Sequence, residues 1–394
     1  MNKKSLGDAV RLPCGVLLKN RFVKAAMSDS LGNGAGDATR DQARLYEKWA
    51  EGGVALSIIG EVQGDFRYPE KPGNLVLNED SDLGTLRDLT SRASINDTHV
   101  WAQIGHAGAL SDPLISNPAG PSELSFDELK CRALSLEEVR ALPEQFAKTA
   151  LIAKSAGFTG VQIHAAHGFL LSQFLSPLFN HREDEYGGSI TCRSRIVLEV
   201  IKAVRAAVGS EYPIGIKINS SDLLEGGLVE DEALELVALL NASSIDLIDI
   251  SGGTYFPGAK ASSDASANGP YFLKFAQQAR KQTRIPLMLT GGFKTRDQAL
   301  SALEEADIDF VGLARAMIIS PSLPNTWLEQ GEDPVFPRFT STQPGGVTAW
   351  YTMAMTALAK DDSQTFDTQL QAALQTYEKR DALRRDTWRK KFTR

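Results

Sequence analysis

Gly160-Val-Gln-Ile163 runs directly into His164-Ala-Ala-His167-Gly-Phe169-Leu-Leu-Ser-Gln173-Phe-Leu-Ser176-Pro. Asn180-His-Arg182 and Asp184-Glu-Tyr186-Gly-Gly188 follow. The opening run reads as a buried strand, so two imidazoles lie just past a strand's C-terminal end. In an α/β barrel that end carries the chemistry. Two N–H donors aimed at one point, neutral or cationic, can hold a carbonyl or phenolate oxygen that gains negative charge. A metal site and a satisfied core pair are the rival readings. No carboxylate or cysteine nearby completes a recognisable ligand set, so no metal is expected.

Seven more short runs carry the same signature, at 21–27, 54–61, 99–106, 214–220, 247–253, 285–292 and 310–316. Most are nearly continuously apolar, as befits a parallel sheet covered by helices. Helix signals lie between them. Thr39-Arg-Asp-Gln42, Ser135-Leu-Glu-Glu138 and Thr295-Arg-Asp-Gln298 read as capping boxes. They open a helix over 43–51 that Gly52-Gly53 ends, one reaching Gly157, and one after 298. A fourth is expected over 230–240, with Leu234, Val237, Ala238 and Leu240 buried. Eight such alternations predict an α/β fold, a (β/α)8 TIM barrel. The rival is an open doubly wound sheet, but no Gly-x-Gly-x-x-Gly follows the first strand.

Two long segments leave C-terminal strand ends, 113–130 after the third strand and 255–269 after the sixth. Each is either a roof over the site or a plain surface loop. Past Pro344-Gly-Gly346 the pattern is helical again, with a last helix over 365–392. The expected division is therefore a barrel over 1–340 and a C-terminal helical extension over 341–394. The last helix is basic from Lys379 to Lys391, which suits a solvated face near a helix C-terminus or a salt-bridged subunit contact. Trp350 and Tyr351 are apolar anchors for a neighbouring barrel or for their own.

Composition excludes some classes. A net charge of −7 over 394 residues argues against a nucleic-acid partner. Cys14, Cys131 and Cys192 are far apart and form no Cys-x-x-Cys, so neither zinc nor an iron–sulfur cluster is expected. Sparse cysteine, no signal-like leader and no bilayer-length apolar run point to a cytoplasmic protein with no membrane partner.

The remaining candidates carry chemistry. Gly291 and Gly292 after the seventh strand let backbone N–H groups approach an anion, and Ala314-Arg315 after the eighth adds a forked donor. Barrels often bind phosphate there, so a phosphate-bearing ligand is expected. Lys217 lies inside the apolar fifth strand, where an unpaired charge is costly. It is either paired with a carboxylate such as Asp249 or a fixed cation beside an electron-accepting ring. Gln103 on the third strand could read a ring edge with one acceptor and two donors.

Over roughly residues 5–340 the chain resembles the old yellow enzymes, flavin-dependent NAD(P)H oxidoreductases and ene-reductases. Leu18-Lys-Asn-Arg21, Gln103-Ile-Gly-His-Ala-Gly108 and the block from His164 to Gly188 carry the resemblance. The pair His164-Ala-Ala-His167 looks like the bacterial, thermophilic-type class. The resemblance implies a barrel holding non-covalent FMN, with NADPH or NADH as electron donor and a small-molecule activated alkene as substrate. It implies that Gln103 and Lys217 contact the pyrimidine side of the flavin. Ala26, Met27 and Ser28 line the flavin, with Gly60 or Glu61. Gly291, Gly292, Ala314 and Arg315 hold the phosphate, and His164 and His167 bind the substrate carbonyl.

Three departures follow from the same comparison. Phe169 stands where the family usually has a proton-donating tyrosine, and a phenyl ring has no proton to give. Either another group substitutes, or water does, or protonation is poor; Tyr68, Tyr255 and Tyr271 lie near candidate site loops, and the sequence does not choose among them. Ser28 stands where cysteine or threonine is usual, and Ser30 replaces another site tyrosine, implying a wider or more polar pocket. A homo-oligomer is expected. The alternatives are a flavin-dependent dehydrogenase or NADH oxidase with weak alkene reduction, and a flavoprotein ligand-binding module.

Overall fold

The computed structural model describes residues 3–126, 129–257, 259, 269–339, 343–363, 366 and 369–392. Eight parallel strands run in chain order: Phe22–Lys24, Leu56–Gln63, His99–Gly105, Gly160–Ala165, Ile214–Asn219, Leu247–Ser251, Leu287–Thr290 and Phe310–Leu313. Each pairs with the next, and the eighth pairs back onto the first through Val311 opposite Phe22. The sheet is therefore closed, with helices outside it: the expected (β/α)8 barrel. Seven of the eight anticipated runs contain their strand, and the one over 54–61 stops two residues short of the end of Leu56–Gln63.

Side-chain alternation sorts the barrel into layers. Ile214, Ile216 and Ile218 face the helices, as do Val161, Ile163 and Ala165. Val23, Leu56, Ile58, Trp101, Leu247, Met288 and Phe310 fill the lower interior, closed beneath by Leu12 and Leu18. A Cβ on Gly160 would lie 2.4 Å from the Trp101 indole, and one on Gly215 2.9 Å, so both positions must be glycine for the ring to fit. The next inward positions toward the C-terminal ends are polar, and there the site forms.

Helix caps follow the sequence closely. Ser135 and Thr295 form complete capping boxes with Glu138 and Gln298. At Arg40–Glu51 the Thr39 side chain caps the Gln42 N–H, but the Gln42 amide turns instead to the carboxylate of Asp29, at 3.1 Å to each oxygen. Donating to that buried carboxylate turns the amide inward and keeps its Oε1 from accepting the Thr39 N–H, as a complete box requires. Glu230–Leu240 buries Ala233, Leu236, Val237 and Leu240, while Ala238 is exposed and Leu234 only half-buried. The segment over 113–130 is more than a loop. Ala119–Gly120, Leu124–Phe126 and Leu129–Ala133 make a small sheet beside the barrel. Most of 255–269 lies outside the described residues, as do 364, 365, 367 and 368 and the side chain of Glu61.

The extension contains Gly346–Ala359 and Leu370–Phe392, packed together. Its basic residues engage this same chain. Arg384 donates to the Ser30 carbonyl at 2.5 Å, Arg385 to Asp112 at 2.8 Å, and Arg389 to the Leu114 carbonyl at 2.9 Å. Trp388 is buried with Val76 and Ile115. The last helix thus lies against the loops that leave the first, second and third strands. Trp350 stacks edge-on with Tyr351, Phe339 and Phe366 of its own chain. No helix among the described residues is long and apolar enough to cross a membrane.

Candidate active site

Strand register builds the floor of the site. His164, Lys217 and Asp249 stand side by side on the fourth, fifth and sixth strands, one residue from each, all facing inward. Lys217 Nζ lies 2.5 Å from Asp249 Oδ2, with both side chains at most 1% exposed. Asp249 also accepts from Gln162 Nε2 at 3.0 Å and Thr290 Oγ1 at 2.6 Å. Gln103 Nε2 donates to Gln162 Oε1 at 2.8 Å. A chain of hydrogen bonds therefore links five strands, and Asp249 stabilises the buried cation that the sequence placed at Lys217. Gln162 and Thr290 went unread, although both sit two residues from a polar neighbour or motif on an inward face.

The histidine pair sits above this floor. His164 Nδ1 accepts from the Ala166 N–H at 3.3 Å, which leaves the proton of the neutral ring on Nε2. His167 has a left-handed backbone, φ 61°, a conformation that costs energy in a non-glycine residue. Bonds on both sides hold it there. Its N–H donates to Asn219 Oδ1 at 3.0 Å, and its carbonyl accepts from the Tyr255 N–H at 3.1 Å. The next residue must be glycine, because a Cβ on Gly168 would lie 2.0 Å from Thr254 Oγ1. His167 Nε2 is 2.8 Å from Ser251 Oγ.

The two imidazoles meet edge to face, 5.3 Å between centroids. Each has one nitrogen anchored, and the other has no hydrogen-bond partner among the described residues. Burial, and then the positive charge of Lys217, pushes His167 down to about 3; burial, then His167 and Lys217, holds His164 well below the ordinary imidazole value. Both rings are neutral at physiological pH. Phe169 is buried with its ring 4.7 Å from that of His164, and Tyr255 lies 5.8 Å from His167 and 5.9 Å from Phe169.

The other predicted residues ring the same barrel mouth. Ser28 bridges to Gly60, and a Cβ on Gly60 would lie 2.8 Å from the Met27 backbone, so the first two strand ends approach closely beside Ala26 and Met27. Ser28 Oγ is buried without a partner among the described residues. Ser30 is buried in a left-handed conformation, its Oγ against Gly73 and its carbonyl held by Arg384. On the other side of the first strand, past the seventh and eighth strands, Gly291 and Gly292 have φ of 111° and 86°, and Arg315 begins the short helix after Ala314. Arg315 reaches Tyr271 Oη at 3.3 Å and lies over the Tyr351 ring. Neither tyrosine was read as part of this cradle, since both come from segments distant in sequence. Tyr68 stacks on His106 at 4.3 Å, and Arg132 Nη2 donates to its hydroxyl at 2.9 Å. Among the described residues no group of three His, Cys, Asp or Glu side chains is placed to hold a metal.

The fold and site define a closed barrel with a polar, charged floor beneath a pair of neutral histidines. A profile of the NADH:flavin oxidoreductase / NADH oxidase family matches residues 14–333. The chain is 33% identical over 355 residues to the NADH-dependent flavin oxidoreductase iliE of Hypocrea jecorina (strain QM6a), covering 80% of this chain and 87% of that protein. It is similar to the old yellow enzyme homologue from Zymomonas mobilis, with a TM-score of 0.74 and 25% identity over 89% of this chain and 99% of that one. It is also similar to a 2-naphthoyl-CoA reductase solved with 2-naphthoyl-CoA, with a TM-score of 0.78 and 26% identity. That match covers 83% of this chain and 52% of the other, so the chain spans about half the reductase's length. The protein belongs to the NADH:flavin oxidoreductase / NADH oxidase family, that of the old yellow enzymes. It is an FMN-dependent oxidoreductase that takes electrons from NADH or NADPH. The residues present fit FMN: a glycine pair of positive φ beside an arginine for phosphate, a serine hydroxyl without a partner among the described residues, and an amide and a cation on the barrel floor.

Proposed function

We propose that the enzyme reduces C=C bonds conjugated to an electron-withdrawing group, with α,β-unsaturated carbonyls as the substrate class. The observation that carries this reading is the pair of neutral imidazoles, each with one nitrogen fixed and one available. Two such donors can bind a carbonyl oxygen and strengthen their hold as it becomes an enolate oxygen. Their neutrality suits the task, because the site need not bury a second and third cation beside Lys217. Bound FMN would supply the hydride, with NAD(P)H as the electron donor. Gln103 and Lys217 would hold the pyrimidine side of its ring, and Ala26, Met27, Ser28 and Gly60 would line it. Gly291, Gly292, Ala314 and Arg315 would hold its phosphate. Phe169 and Ser30 would border the substrate.

Anaerobic stopped-flow spectroscopy tests the reading. NADH or NADPH should bleach the flavin band, and 2-cyclohexenone or maleimide should restore it rapidly. Restoration by oxygen alone would replace this reading with an oxidase or dehydrogenase.

A further inference from the structure

Alkene reduction needs a proton as well as a hydride, and Phe169 cannot supply one. Three tyrosines lie near the mouth. Tyr68 is buried under the Arg132 guanidinium and stacked on His106. Tyr271 stands at the opposite, phosphate end with Arg315. Tyr255 differs from both, because its ring lies against both His167 and Phe169. Its place is fixed through the backbone: its N–H donates to the His167 carbonyl, and Thr254 bridges His167 as a parallel strand neighbour would. The same contacts that impose the left-handed turn on His167 therefore carry a phenol to the histidine pair. Tyr255 is 65% exposed, so its hydroxyl can exchange protons with water.

We propose that Tyr255, from the loop after the sixth strand, is the catalytic proton donor that replaces the phenol missing at Phe169. This assignment rests on the ene-reductase reading above. Hydride adds to the β-carbon, and the displaced π pair becomes the enolate held by His164 and His167. The Tyr255 O–H bond then breaks, its proton forms the new bond at the α-carbon, and the tyrosinate recovers a proton from water. The two electrons are those the enzyme takes from NAD(P)H.

The test compares wild type with Tyr255→Phe, which keeps the ring and its packing. Bleaching by NADH should be unchanged. Recovery with 2-cyclohexenone should slow by ~100-fold, the usual contribution of a positioned general acid. Recovery with a nitroalkene should stay fast, because a nitronate is stable without the proton, and the variant should release that nitronate. Equilibrium binding of cyclohexanone, which cannot be reduced in this way, should not change, whereas a tyrosine that only packs the substrate would weaken it. Phe169→Tyr added to Tyr255→Phe should restore much of the enone rate. Equal enone rates in wild type and Tyr255→Phe, or weaker cyclohexanone binding with no slow protonation, would overturn the Tyr255 assignment and leave the ene-reductase reading standing. Failure of wild type to use either alkene would overturn that reading and this one with it.

Discussion

Asp249→Asn keeps the shape of the barrel floor and removes its one negative charge beside Lys217. The two groups are 2.5 Å apart and at most 1% exposed. At an effective dielectric of about 20 their attraction is ~7 kcal/mol, most of which offsets the cost of taking both ions out of water. Removing one partner leaves that cost uncompensated, so Asp249→Asn should destabilise the fold by ~3–5 kcal/mol. The asparagine can still accept from Gln162 or Thr290, which isolates the charge effect from the hydrogen bonds. Equilibrium urea unfolding of Asp249→Asn, Lys217→Met and the double variant measures it. The double variant should cost less than the sum of the singles, because it buries no unpaired charge. A cost under ~1 kcal/mol for Asp249→Asn, or strict additivity, would refute the claim that Asp249 holds the cation in place.

Acid should weaken the fold through the histidine pair. His167 is held neutral and titrates at about 3 in the folded protein, below the ordinary 6.5. The unfolded chain takes up that proton first, so the stability is complete above about pH 6.5 and is lost as pH falls toward 3, ~2 kcal/mol of it by about pH 5. His167→Asn should flatten the pH dependence of the melting temperature over that range. The basic C-terminal helix depends on Trp388, which is 1% exposed among Val76, Ile115 and Phe392. Trp388→Ala removes contacts worth ~3–5 kcal/mol, so trypsin should cut within 370–392 well before the barrel unfolds. Unchanged proteolysis would mean that the arginine contacts alone dock the helix.

The sequence by itself determined the barrel. Strand runs, capping boxes and glycine stops are local signals, and eight of them in alternation leave one economical closure. It also placed His164, His167, Lys217 and Gln103 toward one end of the barrel, because residues at and beyond strand ends share one face of any such fold. Two-residue alternation even held the clue to Gln162 and Thr290. Only the tertiary structure decided which side chains meet. Register across three strands set His164, Lys217 and Asp249 in one row. A buried carboxylate drew Gln42 away from its own helix cap. A strained turn at His167 brought Tyr255 beside Phe169, and the last helix folded back on the loops of its own barrel. Each of these is a contact between distant segments. Pattern and propensity describe neighbours along the chain, whereas such contacts depend on register and packing that exist only once the barrel has closed.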